Sequence, residues 1–460
     1  MNMKLHSLVA ATLTSTFLLG YGASAMADST FDLVDALVKK GVLTEEEAIP
    51  LLKGREADIQ AEKKAIKKGR VGISDAIDNA KLYGDMRVRA EFRKGEDTLA
   101  TPVEQERTRT RYKMTMGVKT EAADFYGDLA FAMGSGGRSD NATFGATNGA
   151  NNKDTLFVKR AMIGWKTTDW LTLEAGRMQN PLYTTTMVWD GDLTIEGLSE
   201  KFNFNFGDTE AFVTLVQSQY EGDRRTNSNG SITGTAADSN EMLAFQGGAK
   251  FKITDNIKAK AAVTYYMYTD DDIAGVYRPS VGSGTATGVN PLATNDLSII
   301  EIPFEVSFNG TGTLGYKVFG DYAFNMDDDR FDRACAADAA ICAAGNEDDA
   351  WMVGGEIKSM QDPKGKNSTK GDWKAALFYQ SVGAYALDPN TVDSDLFDSR
   401  LNMEGLVFKG EYALRDNVFV NFTAGKAERK EDSLSAVGSG DISRNIDDYE
   451  LYQLDMTYKF

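Results

Sequence analysis

Charged side chains occupy alternate positions in two neighbouring stretches of the chain. Residues 87, 89, 91 and 93 are Arg, Arg, Glu and Arg, and residues 107, 109, 111 and 113 are Arg, Arg, Arg and Lys. Interleaved with them are Met86, Val88, Ala90 and Phe92 in the first stretch, and Thr108, Thr110, Tyr112 and Met114 in the second. A period of two is that of a β-strand, whose successive side chains point to opposite faces. Joined as a hairpin, the stretches bring Arg87, Arg89, Arg93, Arg107, Arg109, Arg111 and Lys113 onto one patch of one face. Like charges so placed repel one another unless water screens them or acids face them. Such rows sort ions rather than make or break bonds, so these residues are expected to line a water-filled pore.

The residues that make and break bonds are scarce. The only histidine, His6, lies in a targeting segment, so the mature chain has no histidine to serve as general base, triad member or metal ligand. Cys335 and Cys342 have neither haem-attachment nor zinc spacing, and in an exported protein they are expected to form one local disulfide. Neither Asp270-Asp271-Asp272 nor Asp327-Asp328-Asp329 has the ligand spacing of a calcium-binding EF-hand loop. No catalytic, cofactor-binding or metal-ligating residue is assigned, and no enzyme is expected.

Residues 1–27 read as a signal peptide: Lys4 and His6 form the n-region, Leu8 to Gly20 the apolar h-region, and Ala25-Met26-Ala27 the cleavage site. Its removal takes one lysine and no acid, so the mature chain is still more acidic than the net −18 of the whole. That balance argues against a nucleic-acid partner. Residues 28–80 have helical character. Phe31, Leu33, Val34, Leu37 and Val38 fall at helical spacing before Gly41, and Thr44 with Glu47 forms a capping-box pattern. Leu52, Ile59, Ile66 and Ile73 recur every seven residues, a thin coiled-coil signal that leaves a periplasmic stalk and a solvated linker both open.

From Lys81 the period becomes two and stays so. The spacing predicts strands over 82–93, 106–120, 123–134, 154–167, 170–178, 192–206, 209–220 and 241–254. It predicts eight more over 256–270, 298–309, 312–325, 349–360, 371–384, 400–413, 416–427 and 448–460. Most are long enough to cross a bilayer as tilted strands. Long and short joins alternate between them, and both ends lie on the short side, the layout of a bacterial outer-membrane barrel. Charges on one face and apolar groups on the other call for water inside and lipid outside. A soluble barrel would need the reverse. The expected fold is therefore all-β: a 16-stranded antiparallel transmembrane barrel over residues 81–460, preceded by a short periplasmic helical segment.

The whole mature chain resembles the putative-porin families of Gram-negative bacteria. The resemblance lies in Leu33 to Glu47, in Phe157-Val158-Lys159-Arg160-Ala161, and in Gly176-Arg177-Met178-Gln179-Asn180-Pro181. The last strand, with Tyr452, Leu454, Met456, Tyr458 and Phe460 on one face, resembles the signal read by the barrel assembly machinery. The resemblance implies an outer-membrane channel for passive diffusion of small hydrophilic solutes and ions. Its surroundings would be outer-membrane lipid and lipopolysaccharide, and its assembled form a homotrimer. In general porins the third long loop folds into the barrel and sets acids against an arginine ladder. The corresponding join, Gln179 to Gly191, makes Asp190 and the adjacent Asp192 the constriction candidates. The rival reading is a structural barrel, an adhesin or a sheath around a partner protein.

Overall fold

The computed structural model describes residues 77–97, 104–134, 139–145, 153–221, 240–269, 297–310, 313–327, 332, 335–336, 339–359, 369–434, 436 and 446–460. The signal peptide and almost all of the expected helical segment lie outside these residues.

The strand segments of the first half are β1 (Asn79–Asp97), β2 (Glu104–Ala122), β3 (Phe125–Gly134), β4 (Ala142–Thr143), β5 (Thr155–Lys166), β6 (Leu171–Gln179), β7 (Thr194–Phe206), β8 (Thr209–Glu221) and β9 (Asn240–Lys252). Those of the second half are β10 (Ile257–Tyr268), β11 (Ser298–Glu301), β12 (Phe304–Asn309), β13 (Leu314–Asn325), β14 (Asp349–Ser359), β15 (Trp373–Val382), β16 (Met403–Arg415), β17 (Val418–Arg429) and β18 (Ile446–Lys459). All belong to one antiparallel sheet that closes on itself, because β1 pairs with both β2 and β18.

Two of the segments continue others. β4 resumes beside β2, opposite Arg111 and Tyr112, where β3 has left off opposite Thr115. β11 and β12 both lie between β10 and β13, parted by Ile302-Pro303. Proline has no N–H for the ladder, so the strand breaks there. The ladder is partly bridged by the Ile302 N–H donating to the Tyr322 carbonyl at 2.7 Å. The barrel thus has 16 strand positions.

Closure follows from edge satisfaction. Among lipid tails an unpaired strand edge would leave every second backbone group without a partner. At the seam Arg89 faces Asp455 and Phe92 faces Tyr452, and the pairing extends to the last residue. Gly84 and Phe460 exchange two backbone hydrogen bonds of 3.0 Å. Glycine is required at position 84, since a Cβ there would come within 2.5 Å of the Phe460 ring.

The two faces differ as the alternation demands. Outward residues are large and apolar, as with Ile163, 65% exposed, and Met456, 56% exposed. Trp170 stacks on Phe202 and Phe204 near one rim, and Phe92 packs by Tyr452 nearer the other. This is an apolar band between aromatic girdles. The inner face is not uniformly wet. In the half of the lumen away from the chain's C-terminus, wall residues such as Val216, Met242, Tyr266, Met352 and Tyr449 form an apolar core with residues from two loops.

Candidate functional site: a lumen narrowed by two loops

One loop joins β6 to β7 and the other joins β15 to β16. The first buries Leu182, Met187, Val188 and Trp189, and the second buries Leu387, Val392, Leu396, Phe397 and Leu401. An exposed loop would leave these groups in water, so their burial draws both loops into the barrel. Polar hooks fix where each loop docks. Thr184 and Thr185 donate their hydroxyls to Glu301 and Asp321 on the far wall, each at 2.5 Å. Gln246 brackets Tyr183, accepting from its N–H at 2.9 Å and donating to its carbonyl at 2.8 Å.

The second loop turns through Asp398, Ser399 and Asn402, all with φ between 56° and 59°. Asn tolerates this region best, and here Asn402 also binds Glu431 and Leu434 through its side chain. The loops meet where the Asp190 N–H donates to the Thr391 carbonyl at 2.6 Å. Ser394 completes the seam, donating its N–H and hydroxyl to the Asp190 carboxylate, each at 3.1 Å.

The basic hairpin faces this plug. Register sets Arg87 opposite Lys113, Arg89 opposite Arg111, Glu91 opposite Arg109 and Arg93 opposite Arg107. Glu91, almost fully buried, sits inside the row and accepts from Arg93 at 2.9 Å and from Arg109. Asp455 on β18 takes the Arg89 guanidinium in a two-bonded fork of 2.7 and 2.9 Å. Asp395 of the second loop lies 2.8 Å from Arg89, 3.6 Å from Arg111 and 3.7 Å from Arg87. Arg93 reaches the Ser394 carbonyl at 3.3 Å and the Tyr449 hydroxyl at 3.1 Å. The repulsion expected among seven cations is thus relieved by interleaved acids rather than by water alone.

A second cluster continues the row. Lys113 lies 2.7 Å from Asp192 and 3.2 Å from Asp140, and Asp140 also binds Lys159. Arg87 donates to Asn141, next to Asp140. Asp395, Arg87, Lys113 and Asp192 keep between 14% and 24% of their side chains accessible, so they border what space remains.

The loop acids are held differently. Asp395 lies well below the ordinary carboxylate range, because its four arginine neighbours outweigh its burial. Asp192 is also lowered, by Lys113 and Lys159 against burial. Asp190 is raised by burial and by the charge of Asp192. Asp393, buried beside Asp190 and Asp395, is pushed up to about 8.

Of the two acids singled out from the sequence, Asp192 meets the basic row at Lys113, whereas Asp190 ties the two loops together. The acid set against the arginines themselves is Asp395, which sequence reasoning left in an outer loop. A signal was present, since Leu387, Val392, Leu396 and Phe397 are unusually apolar for a loop in water. Tyr458 and Phe460 stack on each other on the outer face at the seam. Cys335 and Cys342 are bonded to each other next to the short helix Ala339–Ala344.

Residues 94–296 match the family described as putative porin. No curated protein matches the chain. Among solved structures, the outer membrane channel DcaP of Acinetobacter baumannii is similar at 11% identity over 85% of this chain and 99% of that one, with a TM-score of 0.42. OprB of Pseudomonas putida, in a high-pH structure, is similar at 11% identity over 83% and 94%, with a TM-score of 0.49.

Proposed function

Taking a porin-type outer-membrane β-barrel as the premise, we propose that the protein passes small hydrophilic solutes and ions by diffusion through a passage between its basic hairpin and its two inward loops. The observation that carries this reading is the opposition of Arg87, Arg89 and Arg111 to Asp395 across the lumen. Cations on one side and an acid on the other create a transverse field in a narrow space, which orients and sorts charged solutes. The acidic net charge of the chain matters less there. Screening at physiological salt acts over about 8 Å, so an ion in the passage senses its own walls before the outer loops.

On this reading outer-membrane lipid and lipopolysaccharide surround the barrel, the assembly machinery reads the terminal Tyr458 and Phe460, and the assembled form is a homotrimer. Binding and release are passive, and no residue is assigned to covalent chemistry.

Conductance of the purified protein in a planar bilayer tests the reading. Discrete steps in salt solution are expected, with a reversal potential that responds to substitutions at Arg87 and Asp395. A barrel that inserts without conducting would favour the structural role of an adhesin or sheath.

A further inference from the structure

One sector of the outer wall is ill suited to lipid. On β1 the outward row runs from Leu82 through Met86 and Val88 to Phe92 without a charge, and on β13 it runs from Leu314 to Phe324 likewise. β7 breaks this rule. Its outward row begins Phe206, Phe204, Phe202 and then turns to Glu200, Leu198 and Glu196. Glu200 must face out, because its chain neighbours face in: Ser199 is buried, and Lys201 reaches the lumen acid Glu174 at 2.7 Å.

The cross-strand partners of Glu200 are Leu173 on β6 and Leu215 on β8, both apolar. Arg177 on β6 stands opposite Glu196 and binds it. Glu200 lies at the middle of its strand and Arg177 well inside its own, within the span a bilayer covers. Charges on the lipid face are costly at that depth.

Two atoms sharpen the point. Glu200 Oε2 and Arg177 Nε are covered by their neighbours, and neither has a hydrogen-bond partner among the described residues. One is an acceptor and the other a donor, and they belong to groups of opposite charge on adjacent strands. Lipid tails satisfy neither, and headgroups gather at the edges of the band rather than within it.

We propose that the outer wall from β6 to β8 docks a second copy of this chain, with Arg177 of one copy meeting Glu200 of the next. A surface carrying both members of an ion pair is complementary to itself, which suits rotational assembly. Leu173, Leu198, Phe202 and Leu215 supply apolar contact around the charges, and Gln217 on β8 adds an outward amide. The inference rests on the outer-membrane placement, because in water these charges would need no cover.

Cross-linking in native outer membranes tests it. Leu198→Cys sits between Glu196 and Glu200 and leaves both acids intact, and Cys335 and Cys342 are occupied by their own bond. A short bis-maleimide should convert this variant into dimer and trimer species, whereas Val318→Cys on β13 should remain monomeric. In the L198C background Glu200→Arg should abolish the cross-link, and adding Arg177→Glu should restore it.

Only monomer from L198C, in membranes where the protein still conducts, would overturn the interface and leave the channel standing. Capture of a different protein by the thiol introduced in L198C would overturn self-association. Should a charge variant fail to reach the membrane, native mass spectrometry of the unaltered protein in mild detergent decides, a monomer overturning the proposal. Cross-linked oligomers that never conduct would instead sink the channel reading and leave the interface in place.

Discussion

Arg87 and Arg109 share a wall but not a role. Arg87 borders open space and faces Asp395, while Arg109 is buried against Glu91. Arg87→Ala should therefore shift permeability toward cations, and Asp395→Asn should shift it toward anions, both read as reversal potentials in a salt gradient. Arg109→Ala should change selectivity less and stability more. It removes one partner of a buried carboxylate, at a cost of about 1–3 kcal/mol. Denaturant midpoints measured beside the reversal potentials separate the two effects. Equal selectivity shifts from Arg87→Ala and Arg109→Ala would refute this division.

Asp393 adds a pH dependence at the same scale. Burial holds its carboxyl up to about 8, with Asp190 and Asp395 adding to the rise and Lys409 opposing it. Its unfolded value is about 3.9, so between those limits the docked loop holds a proton that the undocked loop does not. Docking is then strongest at the acid end of that window and weakens as pH rises through about 8. Asp395 and Asp192, held low, act in the opposite sense: their stabilisation is present above about 4 and is lost as pH falls further. Conductance at constant salt should rise as pH passes through about 8, and Asp393→Asn should flatten the rise. A flat profile in the unaltered protein would show that this carboxyl does not govern the loop.

At the scale of elements, each inward loop combines an apolar body with polar hooks. Thr184 and Thr185 show how much the hooks contribute. Replacing both by Val keeps their shape but removes hydrogen bonds from buried Glu301 and Asp321, at a cost of about 1–3 kcal/mol for each acid left short of a donor. Hydrogen exchange at residues 182–189 should quicken and single-channel current should become noisier. Unchanged exchange would mean that the apolar body alone holds the loop. Strand positions were readable from the sequence to within a few residues, even at the β11–β12 break, where Pro303 was visible but its effect on the ladder was not. The loops were not readable in this way. The Asp190–Ser394 seam joins residues 204 positions apart, and no local period reports such a contact.

At the scale of the molecule, closure and the internal plug depend on each other. The seam brings Asp455 and Gln453 onto the same wall as Arg89 and Glu91, and Gln453 donates to both Glu91 and the Asp395 carbonyl. The last residue therefore helps to hold the strand that anchors the constriction. Deleting Phe460 removes both backbone bonds to Gly84, and the amount of barrel in the outer membrane should fall severalfold on immunoblots of membrane fractions. Gly84→Val should have a milder form of the same defect, since its side chain would crowd the Phe460 ring. Normal membrane levels of both variants would show that the terminal aromatic is dispensable for assembly.

The sequence by itself determined that the chain alternates, that its charged rows face inward, that long and short joins take turns, and that the barrel ends on an aromatic. Each follows from a local constraint, because lipid outside and water inside impose a period of two on every strand. Only the tertiary structure decided that Asp395 rather than Asp190 meets the arginines, that two loops rather than one fill the lumen, and that an apolar core forms inside a channel. Those outcomes depend on which distant segments exclude water together. That is settled by the closed circumference of the barrel and by the volume it encloses, and no window of neighbouring residues contains either.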